Sequence, residues 1–166
     1  MDETSLRLHP PLRQCWMKKG QQKTIPAPGK QEHVHYFGAY DWQTDEVHGT
    51  THPKRNSEGF CQFLDYLMNT VYPQQKVIMV MDNASFHTSG MSQAALSLYA
   101  PRLQVIYLPT YCPFLNPIER YWQHLKLLVN VNRLHRHLAD LLNCLEYHIQ
   151  LQNDPTHSRR FTFCKN

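Results

Sequence analysis

The sequence predicts an α/β fold in which a mixed sheet is flanked by helices. The first observation is the unbroken apolar run Val77–Met81, whose length and β-branched residues are typical of a strand buried on both faces of a sheet. The second is that a helical pattern and another apolar run, Leu103–Leu108, follow it. Because strand, helix and strand at this spacing form a βαβ unit, the two strands should be parallel neighbours.

A hairpin and a helix precede this unit. Residues 33–40 and 46–52 are predicted strands around the polar turn 41–45, which is a hairpin pattern. A helix is then predicted to begin at Ser57 and Glu58 and to end before Pro73. Its apolar residues have helical spacing and should lie in the core. They are Phe60, Phe63, Leu64, Leu67, Met68 and Val71.

The helix inside the βαβ unit should be capped by Thr88 or Ser89 and closed by Pro101. Its predicted apolar positions are Met91, Ala94, Ala95, Leu98 and Tyr99. A last amphipathic helix is predicted over residues 138–151.

A third helix is predicted to start within Asn116-Pro117-Ile118-Glu119. Asn116 suits the N-cap, Pro117 the first helical position and Glu119 the third, which is close to a capping box. Two interpretations of Glu119 stay open, since its carboxylate either satisfies a backbone donor or stands beside the carboxyl edge of the sheet. The helix should continue through Tyr121, Trp122, Leu125, Leu128 and Val129.

The totals indicate one domain with a mildly basic surface. The chain has 166 residues, of which 42% are hydrophobic, with a net charge of +4 and a pI near 8.8. This charge permits nucleic acid as a partner without requiring it. No apolar run approaches the roughly 20 residues that span a bilayer. We assign the domain to residues 1–152 and a basic tail to residues 153–166.

Cysteine and histidine spacings argue against a disulfide framework and against a zinc site. The five cysteines are odd in number and scattered, without a Cys-x-x-Cys pair, so we interpret them as reduced cytosolic thiols. His33 and His35 form one close pair and His135 and His137 another, but no second paired element stands at ligand spacing.

Residues 1–30 are predicted to be irregular because prolines and a glycine interrupt them. These are Pro10, Pro11, Pro26, Pro28 and Gly29. The segment is also the most basic part of the chain. Its basic residues are Arg7, Arg13, Lys18, Lys19, Lys23 and Lys30, against the acids Asp2 and Glu3. Such a segment is either a solvated loop or an arm that lies along phosphates, with Trp16 packing beside it.

Asp82 directly follows the apolar strand 77–81. A carboxylate at the carboxyl end of a buried strand lies where an α/β sheet opens its crevice, which suits chemistry. The alternative is that Asp82 and Asn83 only turn the chain, since such pairs favour turns. The residues alone leave both interpretations open.

Three blocks of sequence follow one another in a specific order. They are residues 2–5 with 9–13, residues 81–87, and residues 108–113 leading into 116–119, with weaker support from 27–30 and 37–39. With the order hairpin, helix, strand–Asp, helix, strand, loop, helix–Glu, they resemble the catalytic domain of bacterial insertion-sequence transposases. The group they resemble is IS-six-thirty, related to mariner elements within the DDE endonuclease superfamily.

That resemblance implies an RNase H-like (retroviral-integrase-like) fold and a catalytic triad of Asp2, Asp82 and Glu119. The last two have the mid-thirties spacing of the family. The triad would hold two Mg²⁺ ions, or Mn²⁺, for DNA strand cleavage and strand transfer. Asp82 would bridge both metals, and Asp2 and Glu119 would each complete one site. Residues expected to support the triad or contact DNA are Asn83, His87, Asn116, Lys126, Arg13, Lys18 and Lys19.

The resemblance also implies biological partners and a location. The partners are transposon terminal repeats and target DNA, with a homodimer formed by the full-length protein. The expected location is the cytoplasm of a prokaryote, in association with the nucleoid.

Two departures from the family pattern qualify these expectations. Only Met1 precedes Asp2, whereas the first Asp of the family ends a central strand, so that strand is expected to be almost entirely absent. The family's N-terminal helix-turn-helix region is missing as well. The expectation is therefore an N-terminally truncated transposase domain. Two alternatives stay open, namely a non-catalytic DNA-binding remnant and an RNase H-like nuclease or resolvase.

Overall fold

The computed structural model describes residues 1–22, 24–26, 29, 31–109, 115–158 and 160–162. Its strands are β1 (Asp2–Arg7), β2 (His33–Tyr40), β3 (Val47–His52), β4 (Val77–Met81) and β5 (Leu103–Tyr107). Its helices are α1 (Ser57–Tyr66), which continues into a π-helical turn (Leu67–Val71), α2 (Gly90–Tyr99), α3 (Ile118–Val129) and α4 (Leu138–Asn153). In the described ranges, no helix is both long enough and apolar enough to span a bilayer.

The strand β1 corrects the prediction that residues 1–30 are irregular throughout. It pairs antiparallel with β2, from Asp2 opposite Gly38 to Arg7 opposite His33. The sequence pattern hid this strand because two of its buried residues, Glu3 and Thr4, are polar. β1 begins at Asp2, whereas the strand expected from the family ends at the first Asp, so that expectation stays a prediction.

The strands form a three-stranded antiparallel sheet, β1-β2-β3, and a two-stranded parallel sheet, β4-β5. The predicted hairpin and βαβ unit are therefore confirmed. The backbone amine of Met1 donates to Val80 O over 2.5 Å and joins the two sheets. Because β1 and β4 form no ladder, side chains must supply most of the coupling between the sheets.

The prediction that β4 is buried on both faces is wrong. Met79 and Met81 are buried, but the side chain of Ile78 is 66% exposed. Successive strand residues point to opposite faces. One face of β4 packs into the core with α1, while the other face of this two-stranded sheet meets solvent at Ile78.

Two apolar clusters hold the elements together. In the first, the predicted apolar stripe of α1 packs on β4, and Phe60, Phe63 and Leu64 are completely buried. Asn56 starts α1 by accepting a hydrogen bond from Gly59 N. In the second cluster, α3 and α4 pack against β1 and β2. Its buried residues are Leu6, Val34, Tyr36, Val47, Ile118, Tyr121, Trp122, Leu125, Val129, Leu141 and Leu145.

The helix α2 departs from its predicted apolar face. Ser89 is its N-cap and accepts from Ser92 N, as the sequence predicted. However, Met91 and Leu98 are 59% and 78% exposed, and Ser92 and Leu96 are the buried positions. Ser92 faces inward because its hydroxyl donates to Phe86 O, so a hydrogen bond decided an orientation that hydrophobic spacing did not.

Candidate active site

Asp2 lies at the start of β1, opposite Gly38 of β2. Burial, the neighbouring charge of Glu3 and the charge of Glu119 raise the pKa of Asp2 to about 6, although a backbone hydrogen bond opposes the rise. Adjacent strand residues point to opposite sides of the sheet, so the carboxylates of Asp2 and Glu3 lie in different surroundings.

Asp82 follows β4 directly, and its side chain is 46% exposed. One carboxylate oxygen, Oδ1, accepts from Ala84 N over 3.0 Å and lies 2.9 Å from His87 Nδ1. The carboxylate therefore takes part in the turn after β4. It also stands at the carboxyl end of that strand, where its role in chemistry stays a prediction. No described residue forms a hydrogen bond with Oδ2.

Glu119 lies in the first turn of α3. The predicted N-cap at Asn116 is wrong, because α3 begins after Pro117 without a side-chain cap. The amide of Asn116 donates instead to Met1 O, over 3.2 Å, and is buried. The capping-box interpretation of Glu119 fails with it. Burial and the charge of Asp82 raise the pKa of Glu119.

Charge interactions link these three carboxylates in two pairs. Glu119 acts on the pKa of Asp2, and Asp82 acts on the pKa of Glu119. Like charges this close disfavour one another's ionised form, which a bound cation would reverse. As they stand in the described part of the chain, no three His, Cys, Asp or Glu side chains are close enough to enclose a metal ion. Their carboxylate chemistry nevertheless fits Mg²⁺ or Mn²⁺, which prefer oxygen ligands and retain several waters.

A second group of charged side chains surrounds His87, the neighbour of Asp82. The side chain of Glu3 is fully buried, and its Oε1 is 2.9 Å from His87 Nε2. Its Oε2 accepts from Arg55, with distances of 3.3 Å to Nε and 3.2 Å to Nη2. Burial alone would lower the pKa of His87, but the hydrogen bond and charge of Glu3 outweigh it and raise that pKa.

Asn83 and Asn116 have structural contacts. The amide of Asn83 donates to Leu108 O over 2.8 Å and so ties the end of β4 to the end of β5. The amide of Asn116 ties the start of α3 to β1. Both residues therefore hold the elements that carry the acids.

Lys126 lies on the side of α3 that faces β1. Burial lowers the pKa of Lys126, while the charge of Asp2 opposes that effect and those of Arg13 and Arg7 add to it. Lys126 therefore lies near Asp2, and Arg13 lies near Lys126. Asn132 anchors Arg13, because its Oδ1 accepts from Arg13 N over 3.0 Å and its amide donates to Arg13 O over 2.8 Å.

The remaining basic positions lie farther along the same segment. Lys18 and Lys19 are exposed, and Trp16 is fully exposed, so the expected packing by Trp16 is not present within the chain. Lys23, Lys30 and residues 27–28 lie outside the described residues, as does the block 110–114.

Sequence reasoning missed Glu3 and Arg55 as parts of the site. Glu3 was counted only as a charge beside Asp2 and as part of a motif block. The available signal was strand alternation, because two consecutive acids on a strand cannot both point to the same side. Arg55 gave no local signal, since its partner stands 52 positions away.

Comparison with known proteins identifies the family of this chain. Residues 1–142 match the model of the DDE superfamily endonucleases. The chain belongs to this family. It is 32% identical over 124 residues to the "Insertion element IS630 uncharacterized 39 kDa protein" of Shigella sonnei. That match covers 75% of this chain and 36% of the relative, so the chain spans about a third of that protein's length.

Solved structures show the fold. The Mos1 transposase in a paired-end complex with the left transposon end matches with a TM-score of 0.64 and 19% identity, covering 90% of this chain and 46% of that one. A simian T-cell lymphotropic virus intasome matches with a TM-score of 0.59 and 16% identity, covering 97% of this chain and 56% of that one. The DDE family member described here therefore has the predicted RNase H-like fold.

Proposed function

We propose that this chain is a transposase catalytic domain that cleaves and joins DNA strands with divalent metal ions. The observation that supports this most is the electrostatic coupling of Asp2, Asp82 and Glu119, which come from three elements. Carboxylates that raise one another's pKa are unfavourable alone and become favourable around cations. Membership of the DDE superfamily endonucleases supports the proposal independently.

In this proposal, Asp2, Asp82 and Glu119 hold the metal ions, with Asp82 Oδ2 and the carboxylate of Glu119 facing the substrate side. Bound there, Mg²⁺ or Mn²⁺ would activate an attacking oxygen and offset charge on the phosphate. The chain itself supplies the fixed positions. Asn116 ties Glu119's helix to β1, and Asn83 fixes the end of β4. Little reorganisation is then needed when substrate binds.

The proposed substrate is DNA, namely transposon ends and target DNA. Lys126 lies near Asp2, and Arg13 lies near Lys126. Both would contact phosphates next to the reacting one, with Lys18 and Lys19 farther along. The solved Mos1 relatives are complexes with transposon DNA, which supports this choice. For the whole protein, we propose a homodimer that acts in the prokaryotic cytoplasm at the nucleoid.

Metal binding by calorimetry tests the proposal. We expect the chain to bind Mn²⁺ or Mg²⁺, and Asp82→Asn to abolish the binding heat, because the amide removes a charge without changing the shape of the side chain. Glu146→Gln on α4 is the matched control, since Glu146 is exposed and does not act on the pKa of Asp2 or Glu119, and it should bind metal like the parent. Equal binding by the parent and Asp82→Asn would contradict the proposal.

A second candidate is a DNA-binding domain without turnover. It is favoured by the finding that, within the described ranges, no three ligands stand at metal-binding spacing. The two candidates differ in a nicking assay on transposon-end DNA with Mg²⁺. Nicking that Asp82→Asn abolishes supports the transposase domain. DNA binding without metal binding or nicking supports the second candidate, and nicking of branched DNA alone would indicate a resolvase-type nuclease.

A further inference from the structure

The relative position of Asp2 and Asp82 depends on contacts between two sheets. Asp2 belongs to β1 and Asp82 follows β4, and the described backbone joins these strands by one hydrogen bond, from Met1 to Val80. A single hydrogen bond at the end of a strand contributes only about 1 kcal/mol. The alignment of the two acids therefore needs further support from side chains.

His87 connects both strands. Its Nε2 lies 2.9 Å from Glu3 Oε1 on β1, and its Nδ1 lies 2.9 Å from Asp82 Oδ1 at the end of β4. The hydrogen bond of Nδ1 goes to the main-chain oxygen of Asp82, over 3.2 Å, and that of Nε2 goes to Glu3 Oε1. All of these oxygens only accept hydrogen bonds, so both ring nitrogens must donate. Such charge-assisted hydrogen bonds are the strong class.

The imidazole cannot turn away from this arrangement. His87 is completely buried, with ring centroids 4.8 Å from Phe60 and 4.4 Å from Phe86. Glu3 is fixed in turn by Arg55, whose guanidinium lies over the ring of Phe86. Rings and charges therefore define one orientation of the bridge.

The bridge acts on one oxygen of Asp82. Oδ1 accepts from Ala84 N and lies 2.9 Å from His87 Nδ1 in an ion pair, while the same ring nitrogen hydrogen-bonds the main-chain oxygen of Asp82. Together these contacts favour one orientation of the carboxylate. Oδ2 has no hydrogen-bond partner among the described residues. The arrangement thus uses one oxygen for orientation and leaves the other for a ligand.

We propose that His87 is a positioning residue, which together with Glu3 holds the Asp82 carboxylate in one rotamer and in register with Asp2. This inference rests on the proposed function for its purpose, since a fixed Oδ2 is useful if it binds a metal ion. Its geometry can be tested without any metal. Partners behind a metal ligand typically change metal affinity by about 10- to 100-fold when they are removed.

Two substitutions separate the two hydrogen bonds of His87. In His87→Asn, the amide nitrogen lies near the position of Nδ1 and keeps the bond to Asp82. In His87→Gln, the amide reaches toward the position of Nε2. It keeps the hydrogen bond to Glu3 and loses the contact with Asp82. A purely structural role would make the two variants fail together, whereas the positioning role makes them differ.

The first readout is the side-chain rotamer of Asp82, from three-bond NMR couplings of the metal-free chain. We expect a single χ1 rotamer in the parent and in His87→Asn, and averaged couplings in His87→Gln. The control is His135→Gln, because His135 is also buried and hydrogen-bonded, through Nε2 to Val129 O over 2.7 Å. It should lower stability and leave the Asp82 couplings unchanged.

The second readout is Mn²⁺ affinity of the same four proteins. We expect His87→Gln to bind about 10-fold more weakly or worse, and His87→Asn to stay close to the parent. Averaged Asp82 couplings in the parent would overturn the proposal, and so would a single rotamer retained in His87→Gln. Equal losses of affinity in both variants, in proportion to lost stability, would overturn it as well.

The outcomes distinguish this inference from the proposed function. A rotamer that is fixed in the parent and lost in His87→Gln, without metal binding by any variant, supports the positioning role and contradicts the metal-dependent function. If His87→Gln does not fold, the NMR data of the parent protein test the proposal. A single Asp82 rotamer with a slowly exchanging, hydrogen-bonded Nδ1 proton supports the proposal, and a mixture of rotamers overturns it.

Discussion

At the residue scale, the acids of this chain differ in their surroundings although they lie close together. Glu3 is fully buried and paired with both His87 and Arg55. Asp2 stands next to it in the sequence, but its carboxylate faces Glu119, and its pKa is raised to about 6 by burial, by Glu3 and by Glu119. The buried ion pairs of Glu3 make it part of the framework, whereas the crowding of Asp2 by other acids fits the proposed metal site.

The raised pKa of Asp2 predicts a pH dependence of stability. Its folded pKa of about 6 exceeds its ordinary value of 3.8, so the folded state holds the proton more tightly than the unfolded state. The free energy of unfolding of the metal-free chain should therefore fall as pH rises from about 4 to about 6. Asp2→Asn should remove this loss and be more stable at pH 7 by up to about 3 kcal/mol.

Urea unfolding at several pH values measures this effect. Glu146→Gln serves as the control, because Glu146 is exposed and should keep the slope of the parent. The Met1 amine acts mainly at higher pH. Burial lowers its pKa to about 6, so its contribution to the free energy of unfolding grows only as pH rises above that value. An Asp2→Asn protein with the same slope as the parent would contradict the assignment of Asp2 to a crowded site.

At the scale of elements, the close approach of α3 to β2 places Glu119. Gly38 provides the room, because a Cβ there would lie 2.7 Å from the ring of Trp122 on α3. Tyr36 packs edge-on against the same ring, with centroids 5.7 Å apart. Since Asp2 is the β1 neighbour of Gly38, this contact also sets the distance between β1 and the first turn of α3.

Gly38→Ala should therefore destabilise the chain by about 1–3 kcal/mol, because the added methyl group overpacks a filled contact. The same substitution should weaken metal binding, since it moves Glu119 away from Asp2. Thermal unfolding and calorimetry measure the two effects.

Gly90→Ala is the matched control for this substitution. Nothing lies within 4 Å of a Cβ at Gly90, the first residue of α2, so alanine there should be neutral or stabilise by up to about 1 kcal/mol. Equal effects of the two substitutions would mean that the contact between Gly38 and Trp122 does not limit the packing.

At the scale of the whole molecule, the site lies where two sheets and a helix meet. Three polar contacts between described residues lie there: Met1 with Val80, Glu3 with His87, and Asn116 with Met1. All lie within a few residues of an acid. Apolar packing adds to them, because Met1 and Phe37 share a buried cluster with Met79 and Met81 of β4.

The charge around this junction predicts how DNA binding depends on salt. Lys126→Ala and Arg13→Ala should each lower the salt slope of DNA affinity by about one, because each removes one phosphate contact. The effect should not depend on DNA sequence. Fluorescence anisotropy with labelled duplex DNA, over about 50–200 mM salt, measures the slope.

Lys76→Ala is the control for the DNA prediction. Lys76 is exposed at the amino end of β4, whereas the acids lie at the carboxyl end, so its removal should leave the slope nearly unchanged. If Lys76→Ala and Lys126→Ala lower the slope equally, the DNA does not lie preferentially across the acids.

Most helices and strands, and their order, can be predicted from local sequence patterns. Four of the five strands and all four helices follow from apolar periodicity, because that pattern is a local property of the chain. The pairing of β4 with β5 also followed, since a helix between two strands of this kind makes them parallel. The family motifs pointed to Asp2, Asp82 and Glu119, whose assignment as the metal site stays a prediction.

Which polar side chains point inward depends on long-range contacts of the folded chain. Glu3 and His87 meet 84 positions apart, Asn116 turns from a helix cap to Met1, and Ile78 faces solvent despite its apolar strand. Each depends on the neighbour that folding brings next to it, and a hydrogen bond or ion pair with a distant partner can outweigh a local preference. The local sequence pattern therefore predicts the helices and strands, whereas the candidate site depends on contacts that form only after folding.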